Sequence, residues 1–229
     1  GLDVDRTEGA EVSKGEREKL TAEISAVMRD AEAELTEQLD RFSDYLETRL
    51  DGSRRTFLQR ATASLVKHLE QNGESKVWTY DPTGLRVLLR SGYQVFSAKA
   101  TRATGTIYAK TATALEGLFM GAFDLPEGAF RLEPPPVPDT PPPVTLGQTI
   151  ALDIKGNWWT RWWRRRRSYT AFAEEFSGMI DAEIAPMIEA LKKDHADVFR
   201  DMAIKELRRF VAGQRTTLLA MAGQAEERL

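Results

Sequence analysis

The chain has no cysteine and only two histidines, His68 and His195. Disulfides and thiolate chemistry are thereby excluded, and a cytoplasmic location is the simplest expectation. No apolar run reaches the roughly eighteen residues that a membrane-crossing helix needs. The longest apolar-rich patch, 112–123, is too short and contains Glu116. A signal-peptide pattern is lacking as well. So are a Gly-x-x-x-x-Gly-Lys-Ser/Thr phosphate loop and a Gly-x-Ser-x-Gly elbow. Each histidine stands alone in a helical pattern, so a surface or packed role is expected for both. Asp3-x-Asp5-x-Thr7 mimics the start of a calcium loop. It fails where the turn glycine belongs, at Glu8, and where the closing glutamate belongs, at Lys14. Acidic pairs such as Glu174-Glu175 and Glu226-Glu227 lie in solvated charge patterns. The expectation is a chain without catalytic residues, metal, cofactor or small-molecule substrate.

What the chain does have is helical periodicity. Its 229 residues carry 29% charged and 41% hydrophobic side chains, with a net charge of −3. That charge argues against nonspecific nucleic-acid binding by the whole surface. Residues 1–15 are polar, contain Gly9 and Gly15, and read as a flexible leader. The start at Gly1-Leu2 leads us to expect a piece of a longer protein with a tag remnant. From Leu20 an apolar stripe runs through Ile24, Met28, Ala31, Leu35, Leu39, Phe42, Leu46, Leu50, Phe57, Ala61 and Leu65. Its steps of four, four and three sum to an eleven-residue repeat, which holds one face of a nearly straight helix. Asp51-Gly52-Ser53 is the weak point, but the phase continues across it. One helix from Gly15 to Leu69, bent or not at Gly52, would be roughly 80 Å long.

Asn72-Gly73 closes that helix. Asp81 or Thr83 caps the next, which runs to about Phe123. The second helix carries Leu85, Leu88, Leu89, Tyr93, Phe96, Ile107, Leu115, Leu118 and Phe119, with many small residues between them. Gly117-x-x-x-Gly121 is read as part of close helix packing. Seven prolines in Pro134–Pro143 then impose extended polyproline II. A semi-rigid spacer is favoured over a ligand for a proline-binding module. Residues 149–154 read as a short extended segment. The helical period returns from Tyr169 to about Arg228, with Pro186 expected to kink a helix or start one.

The fold expected is all-α, an elongated antiparallel bundle of three or four long helices with a proline-rich connector. Its parts are a leader (1–15), a long helical hairpin (16–124), the connector (125–157), and an amphipathic element with the C-terminal helices (158–229).

Residues 155–167 stand apart from this scaffold. They hold four of the five tryptophans and six cations, and no acid. On a helical wheel Trp158, Trp162, Trp159 and Trp163 fall at about 0°, 40°, 100° and 140°. Arg161, Arg164, Arg165 and Arg167 fall outside that sector, and Arg166 within it. An aromatic face beside a cationic face suits a helix lying in an anionic membrane interface. The same indoles could close the end of a bundle with arginines stacked on them. The sequence leaves both readings open. Nucleic acid ranks third, because the cations are massed at one end rather than alternating with aromatics.

Two segments carry a resemblance. Trp78-Thr-Tyr-Asp-Pro-Thr-Gly-Leu-Arg-Val-Leu-Leu-Arg-Ser-Gly-Tyr93 is similar to the helical region of bacterial dynamin-like GTPases. So is Leu146-Gly-Gln-Thr-Ile-Ala-Leu-Asp-Ile-Lys-Gly-Asn-Trp-Trp-x-x-Trp-Trp-Arg. The resemblance covers most of 20–229. It implies a helical stalk that self-associates and touches membrane, cut from a parent whose GTPase head would bind GTP and Mg. No nucleotide-binding residue of that family is present, so none is carried over. If the first two helices form a hairpin, the Trp/Arg run sits part-way along the stalk or toward the head. The distal tip is then the 71–82 turn, with Lys76, Trp78 and Tyr80 as a second candidate for lipid contact. The alternative is a coiled-coil scaffold or adaptor that binds protein partners.

Overall fold

The computed structural model describes the backbone of residues 2–72, 83–143 and 169–227, and side chains within 14–71, 83–143 and 174–224. The described residues form three long helical runs and contain no strand. Helix α1 spans Leu2–Asn72. Helix α2 spans Thr83–Ala122. Helix α3 spans Tyr169–Ala190, a π-helical segment follows over Leu191–Asp197, and α4 spans Val198–Glu227. Ala190 and Val198, which flank the π segment, both keep right-handed helical backbone, so the third run is unbroken.

The α1 helix takes in residues 2–15, which the sequence reads as a leader. Glycine inside a helix costs only about 1 kcal/mol, so Gly9 and Gly15 do not stop it. Gly52 does not interrupt it either. Pro186 lies inside α3 and starts no new helix. The departure from α geometry falls five residues later, where i→i+5 bonding sets in at Leu191.

The chain divides into two compact units. The first comprises 1–41, 99–139 and 199–229. Its core takes Leu20, Ile24, Ala31, Leu35 and Leu39 from α1, all buried and all on the predicted stripe, with Met28 between them part-exposed. The same core takes Ala100, Ile107, Tyr108, Ala112, Leu115 and Phe119 from α2, and Phe199, Ala203, Leu207 and Val211 from α4, all buried. The Tyr108 hydroxyl donates to the Ala203 carbonyl oxygen at 2.6 Å, which satisfies the one polar atom of a large buried ring. Burial raises its pKa, with Glu206 adding to the effect. Ion pairs rim the core: Lys110 with Glu34, Arg200 with Asp40, and Arg208 with Glu32.

The second unit comprises 42–98 and 140–198. Its core takes Leu46, Leu50, Phe57, Ala61, Leu65 and Leu69 from α1, then Leu85, Leu89, Tyr93 and Phe96 from α2. Phe176, Ile180, Ile184 and Ile188 of α3 and Leu191 of the π segment complete it. Leu88, one of the apolar residues of α2, is 37% exposed. Arg54 makes a two-pronged ion pair with Asp181. The hydrogen bond to Arg54 holds the Asp181 carboxyl below the usual carboxylate range. Lys192 meets Glu47 at 3.0 Å and Asp51 at 3.6 Å. Partial burial disfavours its charge, but Glu47 and Asp51 outweigh that and raise its pKa.

Helix α2 ends in a left-handed cap. Asp124 has φ +50°, and Leu125 N–H reaches back to the Met120 carbonyl oxygen at 2.9 Å. This is the Schellman arrangement with aspartate where glycine is usual. Pro126 follows and cannot continue the helix.

Candidate interaction surfaces

The tryptophans and arginines singled out by the sequence, Trp158, Trp159, Arg161, Trp162, Trp163, Arg164, Arg165, Arg166 and Arg167, lie outside the described residues. The second candidate, Lys76, Trp78 and Tyr80, lies outside them too. The described residues offer three other features.

The first is the proline segment. Beyond the α2 cap, residues 129–143 form neither helix nor strand. In the first unit Phe130 stacks on Phe119 at 4.2 Å between ring centres. Leu132 N–H donates to Glu116 Oε1 at 2.6 Å. Val137 lies 3.5 Å from where a side chain on Gly105 would begin, so the strap passes in van der Waals reach of this position. The lengths agree. From Gly105 to Phe119 the helix rises roughly 21 Å, and from Phe130 to Val137 polyproline II covers roughly 22 Å. In the second unit Ser97 and Thr140 share a hydrogen bond at 2.6 Å. The spacer reading does not anticipate these side contacts.

The second feature is the clasp at the end of that strap. Tyr93 Oη donates to the Pro141 carbonyl oxygen at 2.7 Å. His195 Nε2 lies 2.9 Å from the Pro142 carbonyl oxygen, and Nδ1 lies 2.9 Å from the Ala190 carbonyl oxygen. The two rings meet edge to face, with centres 5.6 Å apart. Burial pushes the Tyr93 phenol up to about 12, so it stays a donor across the physiological range. His195 is packed, at 6% exposure, and it sits on the π segment. The sequence expected a surface or packed histidine. It could not foresee the clasp, because the π turn that aims the ring leaves no mark in helical periodicity.

The third is an open groove in the first unit, with a volume of about 920 Å³. Ile24, Met28, Val211 and Ala212 form its apolar floor, and Arg29, Glu37 and Arg215 stand at its rim. Its charges are largely matched locally, Glu37 by Arg41 and Glu32 by Arg208. Among the described residues the Gly117 and Gly121 pair packs against no neighbour: a side chain added at either would meet nothing beyond its own helix turn within 4 Å. The register of α2 turns Leu115 and Phe119 inward instead.

Among the described residues no group of three or more His, Asp or Glu is placed to hold a metal ion. No described helix is long and apolar enough to cross a membrane. At a significant level the chain matches no family model, no curated protein and no solved structure.

Proposed function

We propose that the chain is a non-catalytic helical scaffold of the stalk type found in bacterial dynamin-like proteins. Its helices form an elongated antiparallel bundle that self-associates, and its Trp/Arg run makes peripheral contact with an anionic membrane. The observation that carries the scaffold reading is the single stripe of α1, whose buried residues run from Leu20 to Leu69 at steps of four and seven, keeping one helical face. The pairing of ions supports the antiparallel order. In the first unit Glu32 meets Arg208 and Asp40 meets Arg200, so the partner number falls as the α1 number rises. The membrane half of the proposal rests on residue chemistry. Four indoles in one sector, beside cations each contributing up to about 1 kcal/mol at an anionic surface, suit interfacial binding. GTP and Mg would belong to a head domain of the parent, and no residue of this chain is proposed to bind them.

A second reading has its own observation. The apolar groove floored by Ile24, Met28 and Val211 suits a scaffold or adaptor that binds a protein partner. Co-sedimentation with vesicles separates the two. Pelleting with phosphatidylserine-containing vesicles, but not with neutral ones, supports membrane contact. No pelleting at low salt overturns that half and leaves the scaffold.

A further inference from the structure

Burial along the proline strap repeats every three residues. Leu132, Pro135, Pro138 and Pro141 are half-buried, while Glu133, Pro136, Asp139 and Pro142 are exposed. Three residues is the period of polyproline II, a form that makes no hydrogen bonds of its own and leaves its carbonyl oxygens open to outside donors. Within the second unit, three consecutive strap residues each meet one side chain. Thr140 Oγ1 shares a hydrogen bond with Ser97 at 2.6 Å. The Pro141 carbonyl oxygen accepts from Tyr93 Oη at 2.7 Å. The Pro142 carbonyl oxygen faces His195 Nε2 at 2.9 Å. Tyr93 is 2% exposed, and burial pushes its phenol up to about 12, so it remains a donor. An aromatic-lined groove with donors aimed at successive carbonyls is the chemistry that suits recognition of a proline-rich chain. The seat is not sealed. Arg90, Gln94 and Pro142 are exposed, and a groove of about 470 Å³ stays open between the strap and α2. No residue from Thr140 to Pro143 belongs to the buried core, so this end can leave while that core stays packed.

We propose that this face of α2, with His195 of the π segment, is a recognition groove for a proline-rich segment of another protein, filled in cis by Thr140–Pro143. The ligand is polyproline II in form, with a hydroxyl side chain followed by two prolines, meeting Ser97, Tyr93 and His195 in turn. The groove engages one side chain and two backbone carbonyls, so a foreign segment of that pattern offers the same groups. A tethered segment acts at an effective concentration in the millimolar range. An outside ligand therefore binds weakly until the strap is displaced, which makes the strap an autoinhibitory contact. The groove uses no residue of the Trp/Arg run, so it stands or falls apart from the membrane role.

The test uses the full chain and a fluorescent peptide with the sequence of residues 134–143, followed by anisotropy. In an opened variant, Thr140→Gly, Pro141→Gly, Pro142→Gly and Pro143→Gly remove the strap's stiffness and its hydroxyl. The opened chain should bind the peptide at least about tenfold more tightly than the unsubstituted chain, through relief of the cis competition. A peptide carrying the same glycine replacements should bind the opened chain at least about tenfold more weakly, because it is no longer preorganised. Adding Tyr93→Phe to the opened chain keeps the ring and removes the donor, and should weaken binding about threefold or more. Equal affinity of the opened and unsubstituted chains overturns the proposal. So does an opened chain of unchanged helicity that binds no peptide, a glycine peptide that binds equally well, or a Tyr93→Phe chain that binds as well as its parent. If the opened variant loses its helicity by circular dichroism, Thr140→Gly alone takes its place. It should tighten peptide binding about threefold, and no tightening overturns the groove.

Discussion

Leu35 is fully buried among three helical segments of the first unit, where no solvent can fill a gap. Leu35→Ala should therefore cost about 2–5 kcal/mol, read as a lower urea midpoint by circular dichroism. Polar partners are worth less. Tyr108→Phe removes one buried hydroxyl and keeps the ring, so the expected loss is about 1 kcal/mol. The Arg54–Asp181 pair, about one-third exposed on each side, is worth about 1 kcal/mol after screening. Its pH dependence has a definite sign. The folded carboxyl of Asp181 titrates below its unfolded value, so the pair's stability is present above the usual carboxylate range. It is lost as pH falls through the lowered value. Asp181→Asn should flatten the acid limb of the stability profile. It should leave the alkaline limb unchanged.

Among whole elements, the helices were legible because burial repeats along them. Ten of the twelve stripe residues read from the sequence of α1 are buried, and only Met28 and Phe42 are part-exposed. A twelve-position stripe survives local exceptions such as Gly52. What depended on a single residue was harder to read. Pro186 suggested a kink or the start of a new helix, and one helix continues through it. Its side chain is exposed, so its main effects are a lost backbone donor and a crowded turn. Pro186→Ala should thus stabilise the second unit, by as much as about 3 kcal/mol. A fall in stability would mean that the proline shapes the π segment. That the proline segment would form no helix was legible, because proline cannot continue one. Its seat on α2 was not. Gly105, Phe119 and Tyr93 read as ordinary helix-packing residues until a non-helical partner lies against them. The two contact segments proposed from the sequence lie outside the described residues, so their reading still rests on residue chemistry alone.

For the molecule as a whole, the proposed role is that of a helical scaffold that meets an anionic membrane through one aromatic-cationic run. The charge balance makes that specific. The chain carries a net charge of −3, so its general surface should be repelled by anionic lipid. Binding must then come from a local element and must weaken with salt. The most direct measurement compares the full chain with a variant carrying Trp158→Ser, Trp159→Ser, Trp162→Ser and Trp163→Ser. Both are sedimented with phosphatidylserine-containing vesicles at low and high salt, and their helicity and thermal midpoint are measured alongside. The account predicts that the unsubstituted chain pellets at low salt. It also predicts that the variant stays in the supernatant with its helicity and midpoint intact. Equal pelleting of the two proteins would contradict it, as would a soluble unsubstituted chain beside a variant that has lost its fold.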